Sequence, residues 1–291
     1  MIATKKRKER KATDNLCAPC VPLWLTEPVA PSVAAQQRLL SRRGEPLLLA
    51  DWMRVVMIHF EVDAKQLQRD VPYQLDLYGG RAFVTLVAFT MENMRPRRGG
   101  KLGAWLFRSI ATHDFLNVRT YVRHKGEPGI HFLAEWLSNW LAVQLGPRTF
   151  ALPYRHGRIR YEHDWPNGIL PGQVEDVRTK TRFSYQAEAG RGAMLRPGHA
   201  GPEAGAPFVP CERDSLDEWL MERYAAFNSA RGRKRFFRVW HPPWPQTPVR
   251  VTVEDLSLLQ ENWPWFNAAQ LVGANYSPGL RSVWMGRPHC A

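Results

Sequence analysis

Beyond about residue 47 the chain alternates apolar and polar positions in short runs, the signature of strands. WMRVVMIHFEV at 52–62 is apolar and β-branched, and VDAKQLQRDVP follows as one or two helical turns ended by Pro72. YQLDLYGGRAFVTLVAF at 73–89 reads as strand, Gly79-Gly80 turn and strand, a hairpin. Its second strand is apolar on both faces, which predicts burial on both sides. A basic loop, RPRRGGK at 95–101, precedes a strand over FLNVRTYV at 115–122, with GIHFLAEW at 129–136 as its antiparallel partner. Further strands are expected in HGRIRYEHDW, EDVRTKTRFSYQAEA and RFFRVWH.

Helical patterning is scarcer. Ser32 is placed to cap VAAQQRLLSRR, with Gly44 as its stop. LSNWLAVQLG suits a short helix with Gly146 at its end. Ser215-x-x-Glu218 is a capping box opening a helix through DEWLMERYAAF. Residues 189–210 are dense in Gly, Pro and Ala and read as a surface loop. Strands joined by short turns outnumber helices. The expected class is mainly β (α+β): an antiparallel sheet closed or half-closed into a barrel, with a few packed helices.

Composition refines this picture. At 291 residues, 44% hydrophobic and 23% charged, the chain can bury a core without metal or disulfide support. The net charge of +13 is uneven: Lys5, Lys6, Arg7, Lys8, Arg10 and Lys11 face only Glu9 in the first 13 residues. The expected organisation is a disordered basic leader with a short helix over 1–46, then one domain over 47–291. Nucleic acid enters only as a weak partner of the basic tail. Cys17-x-x-Cys20 is a lone pair, so zinc is not expected, and no H-x-H or H-E-x-x-H spacing recruits the histidines. No run is long enough for a transmembrane helix and CVPLWL is no signal core, so a cytoplasmic protein without a membrane span is expected. Nucleophile elbows, phosphate loops and dinucleotide fingerprints are absent, and no cofactor is implied.

Several phrases occur together: FLNVRTYV, GIHFLAEW, TFALPYRHGRIRYEH at 149–163, ERYAAF at 222–227 and HPPWP at 241–245. Their order and spacing resemble the uncharacterised DUF2071 (YqjF-like) family over roughly residues 47–288. That family is similar to the acetoacetate decarboxylase-like superfamily, which implies a β-barrel with a central cavity. Decarboxylation in that superfamily uses a lysine amine to form a Schiff base. In VRHKGEP, Arg123 and His124 occupy the positions where the resemblance places the lysines, and arginine cannot attack a carbonyl. Lys125 falls at the turn edge. The family pattern also places a carboxylate just before its L/V-N-V-R phrase, where this chain has Phe115, with Asp114 one residue earlier and so on the other strand face.

Asn117, Arg119, Tyr121 and Arg123 share one strand face. In a sandwich that face would meet water; in a barrel it would line the lumen, where Arg119 suits a carboxylate or phosphate. A salt bridge between Arg119 and Glu135 is the structural alternative. Alternation puts His131, Leu133 and Glu135 on one face, and Glu135 is either a general acid or base or half of an ion pair. Tyr154 either lines the cavity or sits in the core. His131 and His156 read as ordinary, and His241 as part of a packed corner. The expected function is binding, with or without transformation, of a small anionic or carbonyl-bearing molecule. Asn117, Arg119, Tyr121, Glu135 and Tyr154 are the ligand contacts, and Glu135 is the candidate catalytic group. A structural or regulatory protein docking through its basic leader, or a tail-mediated nucleic-acid binder, is the alternative.

Overall fold

A computed structural model describes residues 30–188, 208–230 and 233–291. The basic leader through residue 29, the Cys17-x-x-Cys20 pair and segment 189–207 of the Gly/Pro-rich loop lie outside the described residues. A compact unit runs from Pro31 to Ala291. In chain order it contains α1 (Pro31–Leu40), β1 (Leu48–Val62), α2 (Ala64–Asp70), β2 (Gln74–Leu75), β3 (Ala82–Pro96), α3 (Gly100–Phe107), β4 (His113–His124), β5 (Glu127–Leu137) and α4 (Trp140–Phe150). There follow β6 (Tyr154–Tyr161), β7 (Ile169–Asp176), β8 (Arg182–Glu188), α5 (Leu216–Met221), β9 (Ala225–Ala230) and β10 (Arg233–Trp240). β11 (Thr247–Pro248), β12 (Arg250–Asp255), α6 (Ser257–Asn262), β13 (Gln270–Met285) and β14 (His289–Cys290) complete it. The unit is mainly β, with helices packed around one large sheet.

Pairing runs β5–β9–β10–β13–β1–β3–β4 and returns to β5, because β4 bonds to both β3 and β5. β5 forks: Ile130 pairs with β9, while Glu135 to Leu137 pair with β6, and both of these contacts are parallel. The expectation of a wholly antiparallel sheet therefore fails at β5, where one strand serves two neighbours. From β6 the sheet continues antiparallel through β7, β8 and β12.

This topology explains the strands that are apolar on both faces. Consecutive residues of β1, β3 and β4 alternate between two clusters. Val55, Met57, Val87, Phe89 and Phe115 belong to one. Val56, Ile58, Leu86, Leu116 and Val118 belong to the other, together with Val174, Phe183 and Tyr185 of β7 and β8. Each such side chain taken from water contributes about 1.5–3 kcal/mol, so these strands are committed on both sides.

Local chemistry sets most element ends. The Asp63 carboxylate accepts from Gln66 N–H to start α2, and Ser215 Oγ accepts from Glu218 N–H to start α5. Lys125 and Gly126 both take positive φ, 51° and 80°, forming the two-residue turn between β4 and β5.

Other expectations are corrected. Gly79 and Gly80 do turn the chain, with Tyr78 bridging to Arg81, but β2 pairs with β4 rather than with β3. Ser32 lies inside α1 and gives its hydroxyl to His241 O, so it does not cap. α4 runs past Gly146 to Phe150, where Ala151 takes the left-handed conformation. α5 stops at Met221, because Ala225 onward is drawn into the sheet beside β10. EDVRTKTRFSYQAEA is two strands, β7 and β8, around a turn.

Candidate functional site

The ring of strands surrounds a cavity of about 580 Å³, within the range of small-molecule sites. Most of its wall is apolar, with Val55, Met57, Val87, Phe89, Phe132 and Trp244 among the lining residues. Its polar groups come from few places. On β4, every second residue from His113 through Phe115 and Asn117 to Arg119 lines it. That alternation sends Val118 and Val122 to the opposite cluster, while Asp114 accepts from the Thr90 hydroxyl at 2.7 Å.

Strand β5 needs a correction. Asn117 pairs with Glu135 and Val118 with Ala134, but Arg119 pairs with Phe132, leaving Leu133 as an extra residue in a bulge. The bulge reverses the alternation. Glu135 lines the cavity with Ile130 and Phe132, whereas His131 turns away, giving its Nδ1 proton to Phe227 O at 2.7 Å beside the Tyr73 ring. His131 and Glu135 therefore do not share a face as strict alternation required.

Arg119 is 8% exposed. Its Nη2 donates to Leu220 O at 3.3 Å, and its Nε has no partner among the described residues. Burial lowers its pKa, against the raising influence of Tyr121 and Glu222. The salt bridge to Glu135 is not formed: among the described residues Arg119 has no carboxylate within 4.0 Å and no ion pair with Glu135. Glu135 is 3% exposed, with Oε2 unpartnered. Burial raises its pKa well above the usual carboxylate range, so the neutral acid is favoured. Asn117 Oδ1, across from it, is likewise unpartnered. Tyr154 lines the cavity beside Glu135, its register partner on β6, and burial followed by Glu135 raises its pKa.

Tyr121 continues the β4 face but lies behind the cavity wall. Its hydroxyl donates to Leu220 O at 2.8 Å and meets Thr85 Oγ1 at 2.5 Å, and its ring sits 4.5 Å from Trp219. Arg123, at the end of the same face, pairs with Asp76 at 3.0 Å and is half exposed.

Three groups enter that sequence reasoning did not select. Arg223 lines the cavity, bonds Asp76 at 2.9 Å and stacks 4.2 Å above Trp219. Glu222 accepts from Trp244 N–H at 2.8 Å and from the Tyr224 hydroxyl. His241 lines the cavity and gives its Nδ1 proton to Pro242 O at 2.8 Å, leaving Nε2 as the acceptor. Burial, then the Arg119 charge, lowers its pKa to about 4. The adjacent Glu222-Arg223 pair, set between apolar residues on both sides, was the available signal. It was hidden by assigning ERYAAF to a helix.

Among the described residues no lysine lines the cavity. Lys125 is exposed at the turn tip, and His124 packs against Tyr73 and Phe227 in the other cluster. Among the described residues no group of three potential metal ligands converges, and no helix is long and apolar enough to cross a membrane.

Residues 49–280 match the model of DUF2071, an uncharacterized conserved protein family. The uncharacterized protein YqjF of Bacillus subtilis is 35% identical over 197 residues, 66% of this chain and 72% of that protein. Among solved structures, acetoacetate decarboxylase from Legionella pneumophila aligns with TM-score 0.55 and 11% identity, covering 86% of this chain and 90% of that one. The enduracididine biosynthesis enzyme MppR, complexed with the condensation product of pyruvate and imidazole 4-carboxaldehyde, aligns with TM-score 0.58 and 13% identity over 84% and 89% of the two chains. At such identities these likenesses concern the fold, which is mainly-β and acetoacetate decarboxylase-like.

Proposed function

We propose that this chain, which belongs to the DUF2071 family of uncharacterized conserved proteins, binds a small organic carboxylate or carbonyl compound inside the ring of strands. In this reading the ring is a barrel and its cavity the binding site. One observation carries the proposal: among the described residues Asn117 Oδ1, Arg119 Nε and Glu135 Oε2 are buried without partners beside a largely apolar space. An unsatisfied buried polar atom costs about 1–3 kcal/mol. A carboxylate accepting from the Arg119 guanidinium, with an oxygen accepting from protonated Glu135, would satisfy these two groups together, while Asn117 Oδ1 would take a hydrogen bond from a donor on the ligand. MppR, of similar fold, holds a pyruvate-derived product, which supports an organic ligand of this kind.

The roles follow from chemistry. Arg119 anchors the anion, and Tyr121 braces it through the Leu220 carbonyl that both groups contact. Asn117 and Tyr154 orient the ligand. Glu135, kept neutral by burial, is the group able to donate a proton to a carbonyl oxygen. Schiff-base decarboxylation is not assigned, because no lysine amine among the described residues lines the cavity.

The test is a thermal-shift screen of the full-length protein with small carboxylates, β-keto acids, sugar acids and phosphates. A ligand at about 100 times its Kd should add about 2.7 kcal/mol. That shift should vanish in Arg119→Gln, with far-UV circular dichroism checking that the variant folds. A panel without any stabiliser, or a hit retained by the folded variant, would overturn the anchor assignment.

A further inference from the structure

The ends of α3 and α4 line the cavity through Phe107, Leu145 and Phe150, but their other sides are bare. α3 buries only Gly103. Leu102, Trp105 and Leu106 are 68%, 65% and 63% exposed, and on α4 Trp140 is 60% exposed, with Leu141 also open. The helices are tied together, since Asn139 Nδ2 at the start of α4 donates to Ser109 O just after α3 at 2.7 Å. Isolated exposed apolar residues need no explanation, but five large ones on two linked helices form a patch that does.

The charge along the chain on either side of these helices has one sign. Glu92 and Asp114 bound a stretch without an acidic residue, and so do Glu135 and Glu162. Arg97, Arg98, Lys101, Arg108 and Arg148 within these stretches are exposed. A second copy meeting the same face would set these cations against their own kind. Tryptophan and leucine flanked only by Lys and Arg suit the boundary between anionic headgroups and acyl chains.

We infer that α3 and α4 dock the protein on an anionic lipid surface, with Trp105 and Trp140 entering the headgroup layer. Docking brings the two helices whose inner residues line the cavity against the bilayer, where an amphiphilic carboxylate would be concentrated. The inference rests on the exposed faces and holds whether or not the cavity ligand is the one proposed above.

The experiment is co-sedimentation of the full-length protein with vesicles of phosphatidylcholine alone and of phosphatidylcholine containing phosphatidylglycerol. The basic leader is present in every sample, so the comparison is with Trp105→Ser/Trp140→Ser, which keeps all charges and alters only exposed side chains. The protein should partition onto the phosphatidylglycerol vesicles far better than onto phosphatidylcholine. The double variant should lose about ten-fold or more of that partition, because two large apolar side chains no longer leave water. Lys101→Glu/Arg108→Glu should reduce it too. Failure of the parent protein to bind, or equal binding by the tryptophan variant, would overturn the inference. So would a dimer in the parent, dissociated by the tryptophan variant, without vesicle binding, since a second copy would then own the face.

Discussion

Glu135 is a carboxyl group raised by burial, with no ion pair to a cation among the described residues to restore its charge. A raised folded-state pKa means that stability is fully present below the unfolded value of 4.5 and is lost as pH rises through the folded value. Glu135→Gln keeps the shape and removes the titration. The expected outcome is a variant close to the parent in acid and more stable than it at neutral pH, read as Tm against pH. A Tm difference that does not change with pH would mean that Glu135 finds a compensating partner. Arg119 differs in kind, since a guanidinium stays protonated and its burial must be met by acceptors instead. Leu220 O is one such acceptor, and the cavity is where another can enter.

At the scale of elements, the bulge at Leu133 and the course of α4 decide what the cavity presents. The bulge reverses β5 between Phe132 and Ala134 and so puts Glu135 opposite Asn117. α4 continues through Gly146, and that glycine lies against Tyr154, where a Cβ would overlap the ring. Glycine here serves close packing, not helix termination. Gly146→Ala should displace Tyr154 or the last turn of α4 and cost about 1–3 kcal/mol, measured by urea denaturation. A cost under about 0.5 kcal/mol, the scale of a neutral surface change, would show that the ring rotates away freely.

Across the whole molecule, three buried histidines give a pH limit. His113, His163 and His241 are each lowered to about 4, in every case chiefly by burial. For a depressed pKa, the contribution to stability is complete above the unfolded value of 6.5 and is lost as pH falls through the folded value near 4. The protein should therefore lose stability between about pH 6.5 and 4, opposite in direction to Glu135. His163→Gln should flatten that acid limb in denaturant titrations without touching the cavity, because His163 contacts Arg54 O and the Tyr185 hydroxyl and does not line it. An unchanged limb would assign the acid loss to other groups.

Strand identity, burial of β3 on both faces, the cap at Ser215 and the Gly79-Gly80 turn were all legible in the sequence, because each depends on side-chain period or on a hydrogen bond a few residues away. The inward alternation of Asn117, Arg119 and Tyr121 was legible as a shared face, and the family phrases carried the resemblance. What lay inside that face was a matter of closure: β4 meets both β3 and β5, so a polar strand face encloses a cavity instead of meeting water. The bulge that turns Glu135 inward, and the joining of Glu222, Arg223 and His241 to Arg119, required partners up to 122 residues distant in the chain. No local period encodes such meetings. They are set by how strands pair around the ring, and that pairing turned an ordinary alternating strand into the wall of a cavity.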